Sequence, residues 1–173
     1  MKESITGLLK IIDSLSEWSG KIVSWILLIM IVVISYDTAA RYLFNAPTIW
    51  AFDLSCMLFG TYFMIGTVWT LKKEEHVRID LIYGKLSRRQ KAILDAVFDV
   101  VLFFPYVIAC FIYSAKYAAN SWAILERSWQ SVWYPPLYPF KTVIPIAFLL
   151  LTLQGMAHFI RNISVIIEKP TSP

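Results

Sequence analysis

The stretch Asp37–Asp80, DTAARYLFNAPTIWAFDLSCMLFGTYFMIGTVWTLKKEEHVRID, decides the fold. It holds the end of one apolar run, a turn, a second apolar run bracketed by Trp50 and Trp69, and a charged exit from Lys72 onward. The two tryptophans are 19 residues apart. On a helix rising about 1.5 Å per residue that is roughly 28 Å, close to the hydrocarbon thickness of a bilayer. The spacing predicts a membrane-spanning helix.

Composition extends this reading to the whole chain. Hydrophobic residues make up 58% of 173 positions, charged residues only 16%, and the mean hydropathy is +0.60. The charges cluster between long apolar runs, as in a polytopic membrane protein. A chain of this length has room for about four spans of around 20 residues and for no separate soluble domain. The fold class is therefore an all-α integral membrane protein with four transmembrane helices in a single domain, residues 1–173.

Working outward, the first span covers about 22–44. Asp37 and Arg41 stand four apart with the acid first, the favoured order for a helical ion pair. Asn45 suits a helix end, and Pro47 prevents continuation, so spans one and two form a hairpin. The second span, about 50–71, carries Asp53 in its first turn, where an acid complements the helix dipole. If Asp53 also pairs with Arg41 across the hairpin, Asp37, Arg41 and Asp53 form one charge-neutral clasp, favoured here over a role in moving substrate. Span three covers about 96–119, with Asp99 near its start and a kink expected at Pro105. The capping box Ser87-x-x-Gln90 predicts that its helix begins near Arg88. Span four covers about 141–160, and its Gln154 is expected to hydrogen-bond to another helix.

Two segments read as interfacial. Residues 1–20 place apolar side chains at spacings of three and four, which fits either an amphipathic helix on the membrane surface or an extension of the first span. The early lysines resemble a signal sequence, but Asp13 and Glu17 interrupt the lead-in and no cleavage pattern follows, so the segment is read as retained. Residues 120–139 hold Trp122, Trp129, Trp133, Tyr134 and Tyr138. On a helix the three tryptophans would share one face and lie at the interface as an aromatic belt; the alternative is a docking surface for a partner outside the membrane.

Orientation follows from the basic residues. Twelve Lys and Arg fall in the N-terminal segment, the 72–91 segment and the C-terminus, against four elsewhere. Both termini are expected in the cytoplasm, with the aromatic loop outside. The basic segments suit anionic lipid head groups, and no nucleic-acid partner is expected.

No catalytic signature is present, so an enzyme is not expected. Cys56 and Cys110 lie in apolar runs and are expected to be buried as small hydrophobes, without a disulfide or metal. His76 and His158 read as interfacial residues, and no cofactor is expected. The middles of the spans lack ionisable residues, whereas a self-sufficient pump places such groups near the bilayer midplane. The remaining reading is an accessory or scaffold subunit of a larger membrane protein. Its rivals are a stand-alone oligomeric transporter or channel and a membrane anchor for a redox enzyme.

Asp37, Arg41-Tyr42, Phe44-Asn45, Pro47 and Trp50, then Gly60 and Gly66, then His76-Val77-x-x-Asp80 and Ser87-x-Arg89 together resemble the small membrane subunit of TRAP transporters, the DctQ-like family. The resemblance covers roughly residues 20–160. The family has Glu where Asp53 stands, which keeps the carboxylate. The run Trp133–Lys141 with Leu153-Gln154 resembles one branch of the family and bears on substrate class. The resemblance implies a bacterial inner-membrane complex. In it a periplasmic binding protein captures an organic acid, a large M-type subunit moves it with a sodium gradient, and the small subunit enlarges and anchors the scaffold. It also implies that Asp37, Arg41, Asn45, Pro47, Trp50 and Asp53 form the outer hairpin end, while His76 and Asp80 mark the inner loop, shaping contact with the large subunit.

Overall fold

The computed structural model describes residues 2–72, 86–129 and 132–167. Four helices account for nearly all of them: α1 (Lys2–Phe44), α2 (Ala51–Lys72), α3 (Arg88–Ala123) and α4 (Tyr138–Ile167). All four are long and apolar enough to cross a membrane. His76 and Asp80 lie outside the described residues.

Each boundary has a local cause. Helix α1 stops at Phe44 because Asn45 takes the left-handed conformation, φ 50°, which asparagine tolerates better than most residues. The Ala46 N–H then turns back to the Ala40 carbonyl at 3.0 Å. Helix α3 begins at the expected capping box: the Ser87 hydroxyl accepts from the Gln90 N–H, and the Gln90 side chain accepts from the Ser87 N–H. Near Pro105, where a kink is expected, the helix carries a wide π turn over Asp99–Phe103, just before the proline. Proline has no N–H to give, and its ring crowds the carbonyl four residues back; a wider turn relieves both problems.

Helix α1 shows no break near residue 20. It is one helix of 43 residues, so the amphipathic N-terminal segment is a continuation of the span's helix.

Helix α4 sits centrally. It packs along α3 on one side and α2 on the other, α1 packs along α2, and α1 reaches α4 near its own N-terminal half. Val68, Val107 and Leu151 form a small core where α2, α3 and α4 meet, flanked by Phe103 and Phe148. Close approach is made by rings lying over glycines: Trp69 over Gly20, Phe140 over Gly60 and Phe103 over Gly155. A Cβ at those glycines would come within 2.6, 2.8 and 2.2 Å of the rings, so any larger residue would force the ring to shift.

Most apolar surface faces outward. Only 6–28% of the residues in each span are buried within the chain, and Trp25, Phe52, Phe63 and Tyr106 are largely exposed. Cys56 is exposed as well, contrary to its expected burial, because the outer surface of such a chain is itself apolar. Hydroxyls within the spans bond to their own helix: Thr38, Thr61, Thr67 and Thr152 each donate to the carbonyl four residues back. That removes the cost of a bare polar group in hydrocarbon.

Candidate functional site

Polar side chains gather at the two ends of the bundle. At the hairpin end, the Arg41 guanidinium donates to Asp37 at 2.8 Å, one helical turn away. The other Asp37 oxygen accepts from both the Thr48 N–H and its hydroxyl, so one carboxylate ties the helix end to the turn. Tyr36 and Trp50 stack with ring centroids 6.0 Å apart, closing the same turn. Pro47 lies between these contacts.

Asp53 does not join this cluster. Arg41 is paired to Asp37, and no ion pair to Asp53 occurs among the described residues. Helical phase explains it: Ala51 and Ser55 line the groove that contains Asp37 and Arg41, and Asp53, about 200° around the helix from Ala51, faces away. The clasp is Asp37–Arg41–Thr48, in place of the expected Asp37–Arg41–Asp53.

The opposite end is assembled from three helices. Arg161 of α4 donates to the Asp13 carboxylate of α1. Lys72, at the end of α2, donates to Glu17 at 2.7 Å and to the Asp13 carbonyl at 3.0 Å. Between them Gln154, only 1% exposed, accepts from the Ser16 hydroxyl at 2.7 Å and stands 3.5 Å from Asp13. Beside this junction His158 Nδ1 lies 3.0 Å from the Asp99 carboxylate, linking α4 to the π turn of α3. A carboxylate only accepts, so the ring donates there.

Gln154 therefore meets the interhelical partner expected of it. The rest of the junction escaped sequence reasoning, which placed Asp99 and His158 at span edges without joining them. The available signal was the polar row Asp13, Ser16, Glu17, Ser19 on one side of a helix otherwise read by its apolar residues.

The aromatic loop departs from its expected form. Trp122 closes the last turn of α3, donating its indole N–H to the Thr142 hydroxyl at 2.8 Å, with Tyr138 packed 4.5 Å from its ring. Trp129 and Trp133 lie beyond the helix, so the three tryptophans do not share a helical face. The cause is backbone chemistry. Pro135 and Pro136 cannot donate, and the segment instead pairs across itself: Ser128 N–H to Pro135 carbonyl and Leu137 N–H to Glu126 carbonyl, both 2.9 Å. Leu125 and Tyr134 take positive φ at its two corners. Glu126 also accepts from Lys141, which lies 4.0 Å from the Tyr117 ring centre. The hydrogen bond from that ammonium holds the Glu126 carboxyl below its ordinary range. Trp129 is 80% exposed.

The family model for tripartite ATP-independent periplasmic transporters, DctQ component, matches residues 30–165, well over half of the chain. The chain belongs to the DctQ family. Among individual curated proteins, none matches closely enough to count as a relative. DctQ is a transporter component and not an enzyme family, and four spanning-type helices make this DctQ chain a multi-pass membrane protein. The hairpin clasp and the aromatic loop fall within the matched residues; Asp13, Ser16 and Glu17 precede them.

Proposed function

We propose that this DctQ chain is the small supporting subunit of a sodium-coupled, binding-protein-dependent transporter for organic acids. It would enlarge and anchor the scaffold against which a large M-type membrane subunit moves substrate delivered by a periplasmic binding protein. The observation that carries the reading is where its charges are used. Asp13, Glu17, Asp37, Arg41, Lys72, Arg161 and the Asp99–His158 pair brace helix to helix or helix to turn at the two ends. A bracing role asks for that, whereas ion coupling asks for ionisable groups near the midplane. The extensive outward apolar surface suits a subunit that lies against lipid on one side and a larger protein on the other.

In this reading both termini and the basic 72–91 segment face the cytoplasm, and the aromatic loop faces the periplasm. Asp37, Arg41, Asn45, Pro47 and Trp50 shape the outer end, with Asp53 turned away from them, and His76 and Asp80 belong to the inner loop. The deciding experiment is affinity purification from native bacterial membranes in mild detergent, with co-purifying proteins identified by mass. A stoichiometric larger polytopic protein is expected. Recovery of this chain alone, or only as a homo-oligomer, would overturn the proposal.

A further inference from the structure

Helix α1 carries two parallel seams displaced by one residue. Ile12, Ser16, Ser19 and Val23 are buried against the rest of the chain. Their neighbours Ile11, Leu15, Trp18, Ile22, Trp25 and Ile29 follow strictly alternating steps of four and three, and the same step continues to Val32. These side chains are 46–69% exposed. Alternating fours and threes give a 3.5-residue period, the pattern that one helix presents to another in a left-handed crossing.

Lipid accounts for only part of this outer seam. From Phe44 to Ile11 the helix rises about 50 Å, and a tilt of 40° still leaves roughly 38 Å, against about 30 Å of hydrocarbon. Ile11, Leu15 and Trp18 stand level with Asp13, Glu17 and their partners Arg161 and Lys72, where the chain has turned polar. The ties to α2 and α4 at that level fix this part of α1 to the bundle, so it does not fold away onto the membrane surface. An exposed apolar stripe at a polar level is the mark of a protein contact.

We infer that the outer seam of α1 is the docking face for a single long helix of the larger membrane subunit, one that continues past the membrane surface beside residues 11–18. The inference rests on the function proposed above. It also states the chemistry of the partner helix. Within this chain three aromatic rings make close interhelical contact over a glycine: Trp69 over Gly20, Phe140 over Gly60 and Phe103 over Gly155. Trp18 and Trp25 are seven residues apart, and they call for small residues, Gly, Ala or Ser, at the facing positions of the partner, two turns apart.

The test is site-specific photocrosslinking in native membranes expressing the complete transporter. A benzophenone amino acid is placed singly at Ile11, Leu15, Trp18, Ile22 and Trp25, and at Ser24, Ile31 and Thr38 on the opposite side of α1. Adducts the size of this chain plus the larger subunit are expected at the first five positions and not at the last three. The double variant Trp18→Ala/Trp25→Ala should reduce recovery of the larger subunit roughly tenfold at an unchanged level of this chain. Adducts at all eight positions, adducts only to a second copy, or no protein adduct while the larger subunit still co-purifies would each overturn the assignment. Failure of the larger subunit to co-purify with the unmodified chain would instead overturn the function on which it rests.

Discussion

At the hairpin end, the polar contacts join residues 4 and 11 apart in sequence; at the opposite end they join residues 55 to 148 apart. The first is a local device. A helix that has ended in Asn45 and been turned by Pro47 brings Thr48 back to Asp37 with little further choice. The second exists only once α1, α2 and α4 are side by side, so its free energy belongs to tertiary packing. Breaking the distant junction should therefore separate helices, whereas breaking the local one should loosen a turn.

The largest expected effect lies beside Gln154. Gly155→Ala would put a methyl 2.2 Å from the Phe103 ring, and that ring is hemmed in by Phe104 and by the core formed with Val107 and Leu151. Overpacking of this kind costs about 3 kcal/mol at the upper end of its range. Gly66→Ala is the matched control: its nearest neighbour is Val23 Cγ1 at 3.8 Å, so the change should be neutral or slightly stabilising. Thermal unfolding of the two variants in the same detergent measures the difference. Equal midpoints would mean that the Phe103 ring does not hold α3 and α4 together.

Next comes Gln154→Leu, which keeps the volume and removes the link between Ser16 and Asp13. The expected loss is about 1–2 kcal/mol, because interhelical hydrogen bonds in membranes are individually modest. Combining it with Ser16→Ala should cost less than the sum of the single changes, since both remove the same bond. Strict additivity would deny that the two side chains meet.

The same contrast separates what is legible in the sequence from what is not. Helix ends at Phe44 and Arg88, the hairpin and the Asp37–Arg41 pair follow from signals within a dozen residues, and all were legible. Three expectations failed for physical reasons. Sequence proximity suggests a pair between Asp53 and Arg41, but a rotation of about 200° from Ala51 turns Asp53 away. The spacing of Trp122, Trp129 and Trp133 suits one helical face, but the helix ends at Ala123 and the segment up to Pro135 and Pro136 pairs across itself. Cys56 lies in an apolar run, which predicts burial, but the outer face of this chain is itself apolar and Cys56 is on it. Of the junction of Asp13, Lys72 and Arg161 only the polar row on α1 is legible, because periodicity shows which face of a helix is polar and is silent about which partner faces it.

At the hairpin end the expected effect is smaller and can be given either sign. Asn45 sits at φ 50°, a conformation that costs a residue with a Cβ and no local hydrogen-bonding group about 1 kcal/mol. Asn45→Ala should therefore destabilise by about that amount, and Asn45→Gly should be neutral or gain a few tenths. The ordering Gly, Asn, Ala in thermal midpoint is the result to look for. If alanine matched asparagine, the left-handed turn would not be what ends α1, and Pro47 alone would carry that function.

The smallest expected effect is confined to the aromatic loop and depends on pH. Glu126 has its carboxyl pKa lowered from 4.5 by the hydrogen bond from Lys141. A group with a lowered folded pKa stabilises above its ordinary value, and that contribution is lost as pH falls through the folded value. Loop ordering should thus be level near neutrality and weaken only below about pH 4.5. Hydrogen exchange of the Ser128 and Leu137 amides, which close the loop onto Pro135 and Glu126, reads it once corrected for intrinsic rates. Glu126→Gln should lower protection at neutral pH and flatten its acid dependence, because the amide has no charge to lose. If the variant kept the acid dependence, the sensitivity would lie in another carboxylate, and the loop would be held by its backbone ladder and by Trp122 against Thr142.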